Sequence, residues 1–458
     1  MHRIRTRTLV AVAALLLAAP VAPAAHAAAE DVHVEGRLPS GAAYLMDVPA
    51  DWNGTVLLYS HGYTPAGAPN PARNAPDDTT KSLLLKQGYA LIGSSYATTG
   101  WAVTEAVPDQ LATLDTFTAR FGRAGRTLAW GTSYGGLVTT ALAERHASRL
   151  AGSLSMCGLV QGGVANWNST LDPVFALRTL LAPGSGIPLT RLPNQTAATE
   201  ASDAMTAVLA GAQRTVDGRA RIALAAALHN IPGWNDPSQP RPAPTDWDAQ
   251  QIGQYQAVLG LVRFPAFVWR QEAESRAGGS MSWNAGVDYR ALLRRSPYLK
   301  EVEELYAKAG LSLPSDLNVL DRAPRVRADP KAVRWMSTFT GRLTKPQLNI
   351  HTTGDALIPV QSESAYRQAA TAAGSASLLR QRFVDNAGHC TFSPGEQIAA
   401  LHALEDRITT GHWPYSDPAA LNSRATKADP ASAARYIPYV PTSYPRPYDQ
   451  SRPSDEHR

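Results

Sequence analysis

Hydrophobic and polar positions alternate on either side of Pro39-Ser40-Gly41 across residues 31–49 (DVHVEGRLPSGAAYLMDVP), which predicts a β-hairpin. Residues 55–60 (TVLLYS) then form an unbroken apolar run of strand length, the pattern of a strand covered on both faces. A short helix is predicted over KSLLLKQG, ending at Gly88, and the apolar run YALIGSSY follows it. PDQLATLDTFTARFG reads as a helix with Pro108 in its first turn and Gly122 just past its end. The run TLAW leads into a further helix over residues 131–150 (GTSYGGLVTTALAERHASRL), and AGSLSMCGLV closes this half of the chain. Strands alternating with helices imply a parallel sheet with right-handed crossovers, so the fold class is α/β.

From residue 161 to 345 the alternation stops. Longer helical patterns broken by prolines replace it: AATEASDAMTAVLAGAQ, DGRARIALAAALHN, residues 249–276 and YLKEVEELYAKAG. This segment reads as a mostly helical insertion. The sheet resumes with the strand QLNIHTTG, the helix SESAYRQAATAAG, the strand LLRQRFVD and a last helix, PGEQIAALHALEDRIT. The core is therefore expected over residues 28–160 and 346–410. Residues 411–458 are rich in Pro and Tyr, a composition that suits either an extended strap lying on the domain or a disordered tail. No internal repeat of solenoid period is visible.

The first 27 residues change the picture of where the protein works. Arg3, Arg5 and Arg7 precede an apolar run that ends before Ala25-His26-Ala27, the pattern of a cleaved secretory signal. The apolar stretch is too short for a stable membrane anchor, and no later window supplies about 20 apolar residues. The expected location is extracellular. Loss of the three arginines takes the formal charge from +5 to +2, too little to suggest nucleic acid or acidic lipid as a partner. The two cysteines, Cys157 and Cys390, then meet an oxidising compartment and are expected to pair. At 458 residues and 44% apolar content, a peptide or a disordered chain is excluded.

The candidate chemistry centres on Gly131-Thr132-Ser133-Tyr134-Gly135, placed directly after a strand and directly before a helix. A G-x-S-x-G string is weak by itself. Between strand and helix it meets the needs of a nucleophile elbow, whose sharp turn exposes the serine and whose small residues let the two elements approach. The helix beginning there turns its free amides toward the reaction centre, and the Tyr134 amide is a candidate oxyanion donor. A serine hydroxyl needs a base held by a carboxylate. Among the later histidines, His402 lies within the last helix, His412 beyond it and His457 in the tail. His389 follows a strand in Asp-Asn-Ala-Gly-His-Cys and is the candidate base. Asp355, in Gly-Asp-Ala-Leu-Ile-Pro-Val after the strand QLNIHTTG, is the candidate acid. Asp385 competes with it but suits a turn-forming role.

These residues resemble the α/β-hydrolase superfamily over about residues 32–160 and 346–410. The resemblance implies a mostly parallel sheet with helices on both faces and a helical cap, residues 161–345, inserted after the sixth core strand. It implies that His389 takes the proton of Ser133 while Asp355 stabilises the imidazolium, with no metal or organic cofactor. It also implies that His61-Gly62-Tyr63 forms the second oxyanion loop, with the Tyr63 amide as donor and His61 bracing it. The loop SSYATTGW leaves a neighbouring strand on the same edge, so Tyr96 and Trp101 are candidate substrate contacts. Trp234, Trp247, Trp269 and Trp283 of the cap are candidates for pocket walls or for plain core packing. The expected function is secreted hydrolysis of a small or aromatic carboxylic ester. The alternative is a secreted serine (amino)peptidase acting on short peptides, in which Glu272, Glu274 or the cluster Glu301, Glu303 and Glu304 would bind a substrate amine. A binding protein without catalysis is a third class, against which the intact Ser, His and Asp argue.

Overall fold

In this computed structural model the described residues are 30–336 and 338–448; residues 1–29, which include the expected signal segment, and residues 449–458, His457 among them, lie outside them. The predicted hairpin forms from β1 (Val32–Arg37) and β2 (Ala43–Val48), paired antiparallel with Val32 opposite Val48. Gly41 closes its turn at φ +89°, a conformation that costs glycine little. β2 then runs antiparallel to β4 (Ala90–Ser94). From β4 inward the sheet is parallel: β3 (Thr55–Ser60), β5 (Arg126–Thr132), β6 (Gly152–Met156), β7 (Gln347–Gly354) and β8 (Leu379–Ala387) follow in space. The apolar runs of β3, β4 and β6 are buried at every position, because helices cover both faces of the sheet.

Those helices begin and end where local chemistry dictates. Asp77 caps α1 (Asp78–Leu85) by accepting the Thr80 amide, so the helix starts ahead of the apolar run that signalled it. α2 (Ala106–Phe121) ends at Gly122, φ +86°, as expected, but starts two residues before Pro108. α3 (Tyr134–Arg145) leaves the end of β5 and is buried from Tyr134 to Ala143.

The chain between β6 and β7 contains α4 (Gly163–Leu181), α5 (Gln195–Ala212), α6 (Val216–Ala227), α7 (Trp247–Arg263), α8 (Arg270–Ala277), α9 (Tyr289–Arg294), α10 (Leu299–Ala309), α11 (Leu313–Arg322) and α12 (Pro330–Trp335). Their apolar faces form a second core around Phe175, Leu224, Phe267, Tyr289 and Leu305, separate from the two that flank the sheet. Two differences from the pattern reading have clear causes. The long helix expected over residues 249–276 is broken by Pro265, which lacks an amide hydrogen. A π turn, Pro265–Trp269, joins α7 to α8 there. α4 was not predicted at all; it is buried almost along its whole length, so no one-sided stripe marks it.

The last described segments follow α13 (Ser362–Ala372) and α14 (Pro394–Thr410), the second fixed by a capping box between Ser393 and Glu396. Residues 418–428, expected as strap or tail, instead form α15 (Pro418–Ala428), capped by Asp417. Beyond it the extended strap is real. β9 (Tyr436–Ile437) adds to β8 antiparallel, and the chain continues to the cap. There Tyr444 shares a 2.6 Å hydrogen bond with Ser169, and the Arg446 guanidinium meets Asp172 of α4 at 2.9 and 3.0 Å.

Cys157 and Cys390 form a disulfide that closes 233 residues and joins the end of β6 to the loop after β8. Chain-entropy reasoning gives about 5 kcal/mol as a ceiling for such a loop. Replacing both cysteines by alanine is expected to lower the thermal midpoint by several degrees in calorimetry. Because Cys390 adjoins His389, kcat is expected to fall with little change in KM.

Candidate active site

Ser133 stands between β5 and α3 at φ 57°, ψ −122°, a strained conformation for a residue with a Cβ. The turn is possible because its neighbours are glycines. A Cβ on Gly135 would lie 1.9 Å from the Ser60 carbonyl oxygen, and one on Gly131 would lie 2.5 Å from the Gly135 oxygen. Strand and helix thus meet at backbone contact, and the Ser133 amide is tied to the Met156 carbonyl at 2.9 Å.

The three residues expected to act together do meet. Ser133 Oγ–H donates to His389 Nε2 across 2.7 Å, and His389 Nδ1–H donates to Asp355 Oδ2, also across 2.7 Å. Asp355 Oδ1 accepts the amides of Leu357 and Ile358 at 2.9 Å each, which fixes the carboxylate plane. Burial pushes the Asp355 pKa up, but the adjacent His389 and His351 rings outweigh it and hold the group at about 2. Asp385, the competitor, instead pairs with Arg241 and faces Thr353 Oγ1 at 3.3 Å. His402 bonds Gln87, and His412 is an exposed residue bonded to Thr410.

The His61-Gly62-Tyr63 loop lies against Ser133: a Cβ on Gly62 would sit 3.5 Å from Ser133 Cβ and 4.0 Å from Ser133 Oγ. The Tyr134 amide is the first of α3 and has no acceptor within its own helix. The loop that carries the Tyr63 amide and the first amide of α3 thus both lie beside Ser133. His61 braces this loop, since its Nδ1 bonds the Gly62 carbonyl at 2.7 Å and its ring stacks on Tyr96 with centroids 4.1 Å apart. Burial lowers its pKa, which suits a neutral, structural imidazole.

Tyr96 corrects one expectation. It is buried behind the loop, at φ +58°, and its hydroxyl donates to the His61 carbonyl at 3.0 Å; it does not line the cavity. Leaving the correct edge of the sheet did not decide which way the side chain faced. Trp101 does line the cavity, a space of about 440 Å³ including its mouth that opens on Ser133. Trp101 packs against Tyr134 and Trp167 with ring centroids 5.1 and 5.2 Å away. Trp269 and Tyr63, 4.7 Å apart, face it across the space. Of the four cap tryptophans expected as wall candidates, Trp269 lines this cavity; Trp283 is core, and Trp234 and Trp247 border a different groove. Trp167, Asn166 and Thr170 were missed because they belong to α4. The Asn166 amide, whose oxygen accepts from Gln161 Nε2 at 3.2 Å, is one of few polar groups on these walls.

The sheet order, the elbow and the cap together point to one family, and the sequence agrees. Residues 91–396 match the alpha/beta hydrolase fold. The chain belongs to that family. It is 30% identical over 443 residues to an o-phthalyl amidase from Xanthobacter agilis, covering 91% of this chain and 96% of that protein. Among solved structures it is similar to feruloyl esterase B from Aspergillus oryzae, with 14% identity, TM-score 0.38, and 84% and 81% of the two chains covered. It is also similar to an acylaminoacyl peptidase from Pyrococcus horikoshii, with 10% identity, TM-score 0.38, and 84% and 42% covered. The protein is a hydrolase of the esterase, amidase or peptidase kind.

The carboxylates considered for binding a substrate amine in this hydrolase are engaged elsewhere. Glu272 accepts the Trp101 amide at 2.8 Å and pairs with Arg276, while Glu274 accepts the Arg191 amide at 2.6 Å. Glu303 and Glu304 are exposed on α10. Among the described residues no Asp or Glu lines the cavity at Ser133. Glu301 is buried beside Gln254 Nε2, which donates to it at 3.0 Å, and burial pushes its pKa from 4.5 up to about 8. A folded pKa above the unfolded one gives stability that is complete below about pH 4.5 and is lost as pH rises through about 8. Glu301→Gln keeps an acceptor for Gln254 and removes the titration. Its thermal midpoint is expected to match the natural protein near the low end of that window and to exceed it by a few degrees above the high end.

Proposed function

We propose that this hydrolase is a secreted serine hydrolase that transfers a small aromatic acyl group from an ester or amide to water. The observation that carries the reading is the Ser133–His389–Asp355 hydrogen-bond chain opening into a cavity walled by Trp101, Trp167, Trp269 and Tyr63. Flat rings give such walls large contact area, and a planar acyl group fits between them better than a flexible chain does. The relative named for o-phthalyl amides, which acts on an aromatic acyl group, favours including amides beside esters. The leader sequence and the disulfide support export.

In this mechanism Ser133 Oγ attacks the carbonyl carbon while His389 Nε2 takes its proton. Asp355 holds the imidazole in the tautomer that leaves Nε2 free and stabilises the imidazolium that forms. The amides of Tyr63 and Tyr134 receive the negative charge on the carbonyl oxygen. Collapse breaks the bond to the alcohol or amine, which leaves with the proton from His389. Water then repeats the sequence on the acyl-serine and releases an aromatic carboxylic acid and the free serine.

The test compares hydrolysis of p-nitrophenyl benzoate, p-nitrophenyl acetate, an aryl-acyl amide and an aminoacyl p-nitroanilide. Benzoyl substrates are expected to lead, and preference for the free-amine anilide would instead mark a peptidase. Ser133→Ala is expected to lower kcat by about four to six orders of magnitude and to abolish fluorophosphonate labelling. A loss under about tenfold would refute the nucleophile. Trp167→Ala is expected to reduce kcat/KM for the benzoyl ester by about 10- to 100-fold and for the acetyl ester far less.

A further inference from the structure

Behind Asp355 lies a second buried pair that the mechanism above does not use. His351 is on β7, four residues before Asp355, and its side chain is wholly inaccessible. Its Nε2 faces the Ile358 carbonyl at 2.9 Å and Asp355 Oδ2 at 3.4 Å, while its Nδ1 faces Glu363 Oε1 at 3.2 Å. Each ring nitrogen thus meets oxygens that accept. A neutral imidazole has one N–H and would set a lone pair against one of them. The other Glu363 oxygen accepts from Asn349 Nδ2 at 2.8 Å and Gln381 Nε2 at 2.7 Å, the surroundings of an ionised carboxylate.

We propose that His351 is a positioning residue, held as an imidazolium between Asp355 and Glu363, which keeps the Asp355 carboxylate ionised and directed at His389. The proposal rests on the reading of Ser133, His389 and Asp355 as the reacting chain. Two carboxylates and one imidazolium leave this buried cluster with a single negative charge at rest. When His389 takes the serine proton the cluster becomes neutral, opposite an oxyanion on the far side of Ser133. Without the His351 charge, Asp355 and Glu363 would repel across a water-free space.

The other groups around the cluster do not supply a substitute. From the cap, His229 faces Asp355, but burial pushes its pKa down to about 4 and leaves it neutral. On the far side Tyr366 approaches Glu363, with its hydroxyl donated to Glu144 at 3.1 Å. On β8 Phe383 stands opposite His351, and Ser155 and Gln381 flank Asn349; none of the three is charged. The two carboxylates accordingly hold His351 protonated, with its pKa raised to about 10 against the opposing effect of burial.

Two measurements on the full mature chain test this. The first is ¹⁵N NMR of histidine-labelled protein carrying Ser133→Ala, from about pH 5 to 9, which spans ordinary histidine titration. Both His351 ring nitrogens are expected to stay protonated throughout; an unprotonated nitrogen at neutral pH would overturn the proposal. The second is the pH profile of kcat/KM for p-nitrophenyl benzoate in His351→Asn and His351→Gln. Loss of a neighbouring cation makes His389 easier to protonate, so the acid limb is expected to move up by about one pH unit, a tenfold loss at a pH below both limbs. A purely structural role would lower activity evenly and leave the limb in place, and that result refutes the idea. If neither variant folds, the NMR result decides alone. Failure of the Ser133 assignment itself is separate, since it appears as retained activity in Ser133→Ala and leaves the ring signals unchanged.

Discussion

The contact on which the site depends is the one between Gly135 and the Ser60 carbonyl oxygen. An ordinary side chain there would overlap that oxygen, so only a glycine lets α3 begin hard against the ends of β3 and β5. From this one approach come the strained serine, the direction of the helix amides and the closeness of the His61-Gly62-Tyr63 loop. The strain is held in place by the parallel sheet, whose central strands are buried on both sides and cannot yield. The elbow is rigid because its scaffold is.

Around that point charge is arranged in order of accessibility. Ser133 meets the cavity and His389, partly exposed, bonds to it; Asp355 lies one bond further in and takes four hydrogen-bond or ionic partners; Glu363 lies deeper still and is satisfied by two amides and an imidazole. Burying such groups is costly unless each charge is met, and here every step inward adds the partner that the previous one lacks. The aromatic cavity on the other side contributes almost no charge, so the field at Ser133 is set by the sheet side and by the helix amides.

Much of this was legible along the chain. Alternating apolar runs gave the strands in order, and the glycine-flanked serine between a strand and a helix located the elbow. His389 and Asp355 stood out by their places after β8 and β7, and two cysteines left one possible pairing. What stayed hidden has a common cause: the period of a pattern says which face is buried only when one face is not. α4 is buried all round, so its Asn166, Trp167 and Thr170 gave no signal. His351 sits on a strand covered on both sides, where a histidine reads as one more interior residue. Tyr96 was misjudged because a loop's position does not fix its side-chain direction, and α15 because prolines and tyrosines downstream masked the Asp417-Pro418 start signal.

The strap ties the end of the described chain to the cap. Asp172, on the helix that supplies the wall beside Trp167, lies 274 residues before Arg446, whose Nη1 meets both of its oxygens. A chain that stops short of Arg446 therefore carries Ser133, Asp355, His389 and every residue that lines the cavity, but leaves Asp172 on α4 without that guanidinium. The strap thus bears on how firmly the cap wall is held, and not on whether its parts are present.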